Sequence, residues 1–342
     1  MINHLKKLKK TYIWELFITH IFYIFYSLIW TYIINFKAKF LKILWFKKKR
    51  EFYNLNQNDK LIISDEQKFK EISEIIKSEI IESLPDLKNK IVSKKYSEQI
   101  KKENLASGEI PYVIEFYDQI SDNLKKKIVE FASSEKMVST AANYMGIFPM
   151  ITRIQLSLNI PRKDSDLRSA MLWHKDEFGF KNLDFFMTVF DLDDDNGPFY
   201  CVKKKIKAGV FKSLNSKRNK IGERRKIDLE DFEDITNTHG ETKLIGSSGT
   251  AIFVDSFSTY HRGGFCKLKD RLMLRICYQS HDVLNESYKE SKNEFLFDKQ
   301  IRLDETKDVF KKYLYFNNKG KFIKLISNSL IKFYRLIEFK YN

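Results

Sequence analysis

Cysteine is scarce in this 342-residue chain, and its placement excludes two classes of protein. Cys201, Cys266 and Cys277 leave one thiol over from any pairing, and no CxxC spacing occurs. That argues against a disulfide framework and against a cysteine zinc site, and it predicts a reducing compartment. Zinc-finger spacing, a glycine-rich phosphate loop and internal repeats are missing as well. Acidic residues are nearly absent from the first fifty positions, where Glu15 stands alone against ten Lys and one Arg. That stretch carries +10 of the formal charge of +16, leaving +6 for the other 292 residues. The basicity flanks an apolar run. A duplex-binding face instead gathers its basic residues on a folded domain or helix, so the pattern predicts a membrane surface as partner and no nucleic acid.

What is present is enough for a full core. The chain is 43% hydrophobic and 15% aromatic, which predicts one large domain with appendages. Residues 12–36 form the apolar run, long enough to cross a bilayer and rich in the Tyr and Trp that favour its interfaces. It lacks the small-residue cleavage site of a signal peptide, so it reads as a retained anchor, either spanning or lying flat. The heavier charge on its C-terminal side, from Lys37 to Arg50, predicts that the rest of the chain faces the cytoplasm. A soluble cytoplasmic chain is the alternative.

The organisation that follows is a membrane-associated segment over 1–50, a helical linker over 51–108 interrupted at Pro85, a β-rich domain over 109–290, and a helical extension over 291–342. The extension has apolar residues at Ile323, Ile326, Leu330, Phe333 and Ile337, the pattern of a helix on a membrane surface or packed on the domain. Within the β-rich domain, residues 110–120 predict a strand, and Ser121 caps a helix. Short alternating stretches at 151–160, 184–192, 249–257 and 271–280 have the rhythm of an antiparallel sandwich or barrel. A polar, Lys- and Arg-rich insert at 203–243 interrupts it and is predicted to be lid-like.

The chemistry centres on "LWHKDEFGF", residues 172–180. Two positions apart on a strand, His174 and Asp176 project from one face and present an imidazole and a carboxylate to one point. A third ligand from another strand completes a two-histidine, one-carboxylate face that leaves positions open on iron(II). His261 is the candidate, since it follows an apolar strand and precedes two glycines. Zinc or another divalent ion fits the same ligands, and a purely structural pair is the plain alternative. Arg271, Met273 and Arg275 share a face of the strand that opens at Arg271. An arginine on an otherwise apolar face needs an anion such as a bound carboxylate, with Arg271 the first choice and Arg275 the second.

The stretch "LWHKDEFGFKNLDFFMTVFDLDDDNGPFYCV" resembles the phytanoyl-CoA dioxygenase-like family of iron(II)/2-oxoglutarate oxygenases, whose members carry "WHxD" followed by "D-x-D-x-x-NGPF". Here these are Trp173, His174, Asp176, Asp191, Asp193, Asn196, Gly197, Pro198 and Phe199. The segment 141–146 and the segment around His261 fall in the matching order, so the resemblance runs over about 110–280. It implies a mainly β fold, a double-stranded β-helix or jelly roll, with flanking helices. It also implies Fe(II) on His174, Asp176 and His261, 2-oxoglutarate held by Arg271, and O2 as cosubstrate. The implied activity is hydroxylation of an unactivated C–H bond in a small or lipid-linked substrate. A silent, membrane-tethered binding protein on the same fold is the other reading. Two features depart from the family: an acid, Asp184, where many relatives carry lysine, and the length and charge of the 203–243 insert.

Overall fold

The computed structural model describes residues 35–55, 60–81, 114–115, 117–161, 169–176, 181–203, 206, 226–280 and 308–315. All but the last two residues of the apolar run lie outside these, as do Pro85, much of the insert, His281, Asp282 and the C-terminal apolar stretch. No helix among the described residues is long and apolar enough to cross a membrane.

Helix α1 (Asn35–Trp45), strand β1 (Lys60–Ile63) and helix α2 (Gln67–Ile80) precede the segment in which strands are predicted. The short β2 (Ile114–Glu115) leads through a 3-10 turn to α3 (Asp122–Ala132) and α4 (Glu135–Met145). Ser121 caps α3 as its sequence predicts, its side chain accepting from the Leu124 amide at 3.1 Å. The strands β3 (Met150–Asn159), β4 (Asn182–Thr188) and β5 (Phe199–Val202) follow. Then come α5 (Leu229–His239), β6 (Glu241–Leu244), β7 (Ala251–Val254), β8 (His261–Gly263), β9 (Arg271–Gln279) and α6 (Val309–Tyr315).

The strands form two antiparallel sheets, consistent with a jelly-roll core. The larger has the order β1-β7-β4-β9-β3-β2 and the smaller β6-β5-β8. Bridges from His174 to His261 and from Trp173 to Ile227 extend the smaller sheet beyond β8. The region read as a helical linker supplies both α2 and an edge strand, since β1 pairs with β7 from Lys60↔Val254 to Ile63↔Ala251. Only the register against β7 distinguishes such a four-residue strand from linker.

Period-two alternation sorts the side chains of the larger sheet. Leu183, Phe185 and Met187 on β4, Phe253 on β7, and Leu272, Leu274, Ile276 and Tyr278 on β9 face the helices. There they join Phe69, Ile72 and Ile76 of α2, and each large side chain so buried contributes about 1.5–3 kcal/mol. The opposite faces of the same strands meet the smaller sheet, where Ile252, Val254, Met273 and Phe186 pack on Phe199, Cys201 and Leu244. Asp184, Arg271 and Arg275 lie in register with this inner set, so the polar residues fall between the sheets. A third cluster covers the outside of the smaller sheet: Phe232 of α5 stacks on Trp173, with centroids 4.6 Å apart and planes at 20°. The described part of the insert is therefore a packed helix and the strand β6. The three cysteines are all buried and free.

Candidate metal centre

The backbone brings the two histidines together before any side chain acts. His174 and His261 exchange both amide-to-carbonyl bonds, at 3.0 and 2.9 Å, so they are directly opposed and their rings sit 4.4 Å apart. Trp173 is locked in the same way against Ile227, at 3.1 and 2.9 Å, while Phe232 stacks on its ring. The Asp176 amide then donates to the Ser256 carbonyl at 3.0 Å, which turns the carboxylate toward the imidazoles. His174 belongs to an isolated bridge, a looser arrangement than the strand that the two-residue spacing predicts. The shared direction of the two side chains survives.

Each imidazole is tied back by its other nitrogen. His174 Nδ1 lies 2.7 Å from the Leu172 carbonyl, and His261 Nδ1 lies 3.0 Å from that of Thr259. A carbonyl only accepts, so both Nδ1 atoms carry the proton and both Nε2 lone pairs are left for another partner. They point at Asp176, whose Oδ1 is 3.8 Å from His174 Nε2 and 3.7 Å from His261 Nε2. The three ligand atoms all lie within 4.8 Å of one another. Two ligands each about 2.1 Å from one ion are at most about 4.2 Å apart, so both separations to Asp176 Oδ1 suit a single metal.

Charge supports the same state. Burial lowers the pKa of His174 well below the ordinary 6.5 and that of His261 below it, so both are neutral at neutral pH, the form a metal needs. Burial alone would raise Asp176, but the Arg275 guanidinium and the two histidines together outweigh it and hold the carboxyl well below the usual range. Arg275 Nη2 donates at 2.6 Å to Asp176 Oδ2 and at 2.6 Å to Asp184 Oδ2. Asp184 is 0% exposed and also accepts from the Ser256 hydroxyl. These contacts occupy one oxygen of Asp176 and leave Oδ1 facing the histidines. An aromatic floor continues from there: Arg275 lies over Phe186 at 5.0 Å, Phe186 stacks on Phe199 at 4.7 Å, and Phe199 stacks on His261 at 5.5 Å.

The structure thus gathers His174, Asp176 and His261, and adds Arg275. Arg271 lies on the same face of β9, four residues and about 13 Å along the strand. It is buried and donates to Asn159 Oδ1 at 3.1 and 3.2 Å and to the Gly264 carbonyl at 3.5 Å. His239 ends α5 and takes no part in the group. Asp193 to Asn196 form a capped 3-10 turn, as a turn ahead of β5 requires. Gly197 leaves it at φ 64°, and a Cβ there would meet the Phe265 carbonyl carbon at 2.4 Å. The residues that sequence reasoning did not assign are Ser256, Phe186 and the pairing of Asp184 with Arg275. In cross-strand register Phe186 faces Arg275 and Asp184 faces Cys277, which makes Asp184 and Arg275 diagonal neighbours. Nothing local in the sequence encodes that offset.

No protein-family profile matches the chain, and no curated protein sequence does. Solved structures do overlap with it. The epimerase SnoN, in complex with Fe3+, alpha ketoglutarate and nogalamycin RO, matches at 13% identity over 66% of this chain and 80% of its own, with a TM-score of 0.40. EctD from S. alaskensis, with 2-oxoglutarate and 5-hydroxyectoine, matches at 15% identity over 67% and 74%, with a TM-score of 0.41. The non-heme alpha ketoglutarate dependent carbocyclase SnoK matches at 12% over 68% and 87%, with a TM-score of 0.40. At this level of superposition, assignment rests on the atoms of the site.

Proposed function

We propose that this protein is an iron(II)- and 2-oxoglutarate-dependent oxygenase that hydroxylates an unactivated C–H bond. The observation that carries the reading is the convergence of two tied-back imidazoles and one half-engaged carboxylate on a common point. Such a donor set closes one face of a metal and leaves the others for cosubstrate and oxygen. When bound, iron(II) with 2-oxoglutarate supplies the oxidation: O2 and 2-oxoglutarate are consumed, one oxygen enters the substrate C–H bond, and succinate and CO2 leave.

The chain's own residues hold and orient. His174 and His261 bind as neutral ligands, with their rings fixed by the Leu172 and Thr259 carbonyls. Asp176 binds through Oδ1 while Arg275 retains Oδ2. Arg275 is engaged by two carboxylates, which favours Arg271 as the anchor for the distal carboxylate of 2-oxoglutarate. Phe186 and Phe199 form an apolar wall that limits water beside the ligands. The finer assignment, to the phytanoyl-CoA dioxygenase-like family, is supported by the motif over 172–202. The substrate class, a small or lipid-like molecule met at the cytoplasmic face of a membrane, is motivated by the apolar run and its basic flanks.

Anaerobic titration with iron(II) and 2-oxoglutarate tests the reading. Binding of both is expected, followed by succinate formation coupled to oxygen uptake once oxygen and substrate are admitted. Undiminished metal binding after His174→Ala, or binding without any turnover across a broad substrate panel, overturns the oxygenase and leaves a binding protein.

A further inference from the structure

Helix α1 has two unlike sides. Its inner side is clamped to the domain: Ala38 and Leu41 are buried, and the Ala38 carbonyl accepts from the Phe148 amide at 3.0 Å. Trp45 Nε1 donates to Ser139 Oγ at 2.8 Å, while Arg50 covers the Trp45 ring at 3.7 Å and pairs with Glu135. On the outer side, Phe36, Phe40 and Ile43 are 70%, 52% and 62% exposed. At 3.6 residues per turn these three fall on one line, opposite Ala38, Leu41 and Trp45. A single exposed apolar residue is ordinary, but an aligned set of three large ones forms a patch. Lysines surround it. Lys37 and Lys39 lie beside the line on the exposed surface, Lys42 is half-buried, and Lys47, Lys48 and Lys49 follow the helix. Lys181, just ahead of β4, is close enough that burial and the positive charges of Lys39 and Lys42 lower its pKa.

We propose that this face docks on an anionic phospholipid bilayer, with α1 lying in the headgroup plane, Phe36, Phe40 and Ile43 at the acyl boundary, and Lys39, Lys42 and Lys181 on the phosphates. An apolar line between lysine-bearing flanks is the pattern of an interfacial helix. Clamped to the domain along its inner side, α1 lies on a bilayer and does not cross it. A second copy of the chain fits less well. A two-fold contact would set these lysines against their own images. Clusters of like charge repel, and an anionic surface relieves that repulsion.

Because α1 is clamped, docking orients the whole domain. Lys181 is five residues from Asp176, hence at most about 18 Å from a proposed metal ligand. The site is then held within reach of a substrate embedded in the same leaflet. The docking face itself depends neither on the oxygenase chemistry nor on residues 12–34 of the apolar run.

The test uses the full chain with Phe40→Cys carrying an environment-sensitive fluorophore. Cys201, Cys266 and Cys277 are buried, so the folded protein labels at position 40. A second protein labelled through Leu268→Cys, at a residue 75% exposed, is the aqueous control. With vesicles containing phosphatidylglycerol, the position-40 probe is expected to shift to the blue and to be quenched by lipid-borne quenchers at the acyl boundary. Vesicles of phosphatidylcholine alone should do much less, and the Leu268 probe should remain in water. Lys39→Gln and Lys42→Gln should each weaken the anionic vesicle response about fivefold. A position-40 probe that stays aqueous while the chain sediments with vesicles overturns the docking face, yet leaves membrane association through another segment standing. Burial of the probe without lipid also overturns it: dependence on protein concentration marks a second copy, and independence marks cover by the chain itself.

Discussion

Replacing Arg275 separates what holds the site together from what merely fills it. Arg275→Met leaves the Asp184 carboxylate, 0% exposed, without the guanidinium 2.6 Å away. An uncompensated buried charge costs about 3–5 kcal/mol, a large share of the ~5–15 kcal/mol that holds a domain folded. Adding Asp184→Leu removes the orphaned charge and puts apolar volume in place of the pair, which should recover most of the stability. Both variants lose the bond to Asp176 Oδ2. In the double variant the summed charge near the ligands is unchanged, so the field acting on a dication is nearly the same and only the orientation of Asp176 is lost. Loss of such an outer contact costs about 10–100-fold in metal affinity. Urea denaturation reads the first quantity, and anaerobic iron(II) or cobalt(II) titration reads the second. A double variant that binds metal as tightly as the unaltered protein refutes the orienting role of Arg275. A single variant as stable as the double refutes the ion-pair argument.

Further outcomes follow from other contacts. His261→Ala should abolish detectable metal binding while leaving the sheets intact by circular dichroism, because its backbone bonds to His174 do not need the ring. Without metal, stability should be full above pH 6.5 and fall as the pH drops below it. The folded state keeps His174 and His261 neutral where the unfolded chain takes up protons, and a urea midpoint that is flat from pH 7 to 5 would contradict this. Phe232→Ala should cost about 3–5 kcal/mol through the cavity left under Trp173, and it should loosen metal binding through the residue next to His174. Arg271→Gln should raise the concentration of 2-oxoglutarate needed for half-maximal succinate formation, with little change in iron affinity measured without cosubstrate. Gly197→Ala should lower the denaturation midpoint, since its Cβ has no room against the Phe265 backbone.

Much of this was legible in the sequence, because some signals are local. Alternation at 151–160, 184–192, 249–257 and 271–280 marks strands with two different faces. Ser121 marks a helix start, and "WHKD" followed by "NGPF" and His261 marks the proposed ligands in order. Burial and backbone register then act on what alternation allows. The sequence placed Arg271 and Arg275 on one face of a strand, but it carried nothing about which would meet a carboxylate. Asp184 reached Arg275 through the offset between β4 and β9, and β1 became a strand only because the edge of β7 accepted it. Residues 37–50 announced their charge from the start. That Phe36, Phe40 and Ile43 line the open side of α1 was decided by the packing of Ala38, Leu41 and Trp45 on the domain, since a helix acquires an inside only from the surface it packs against.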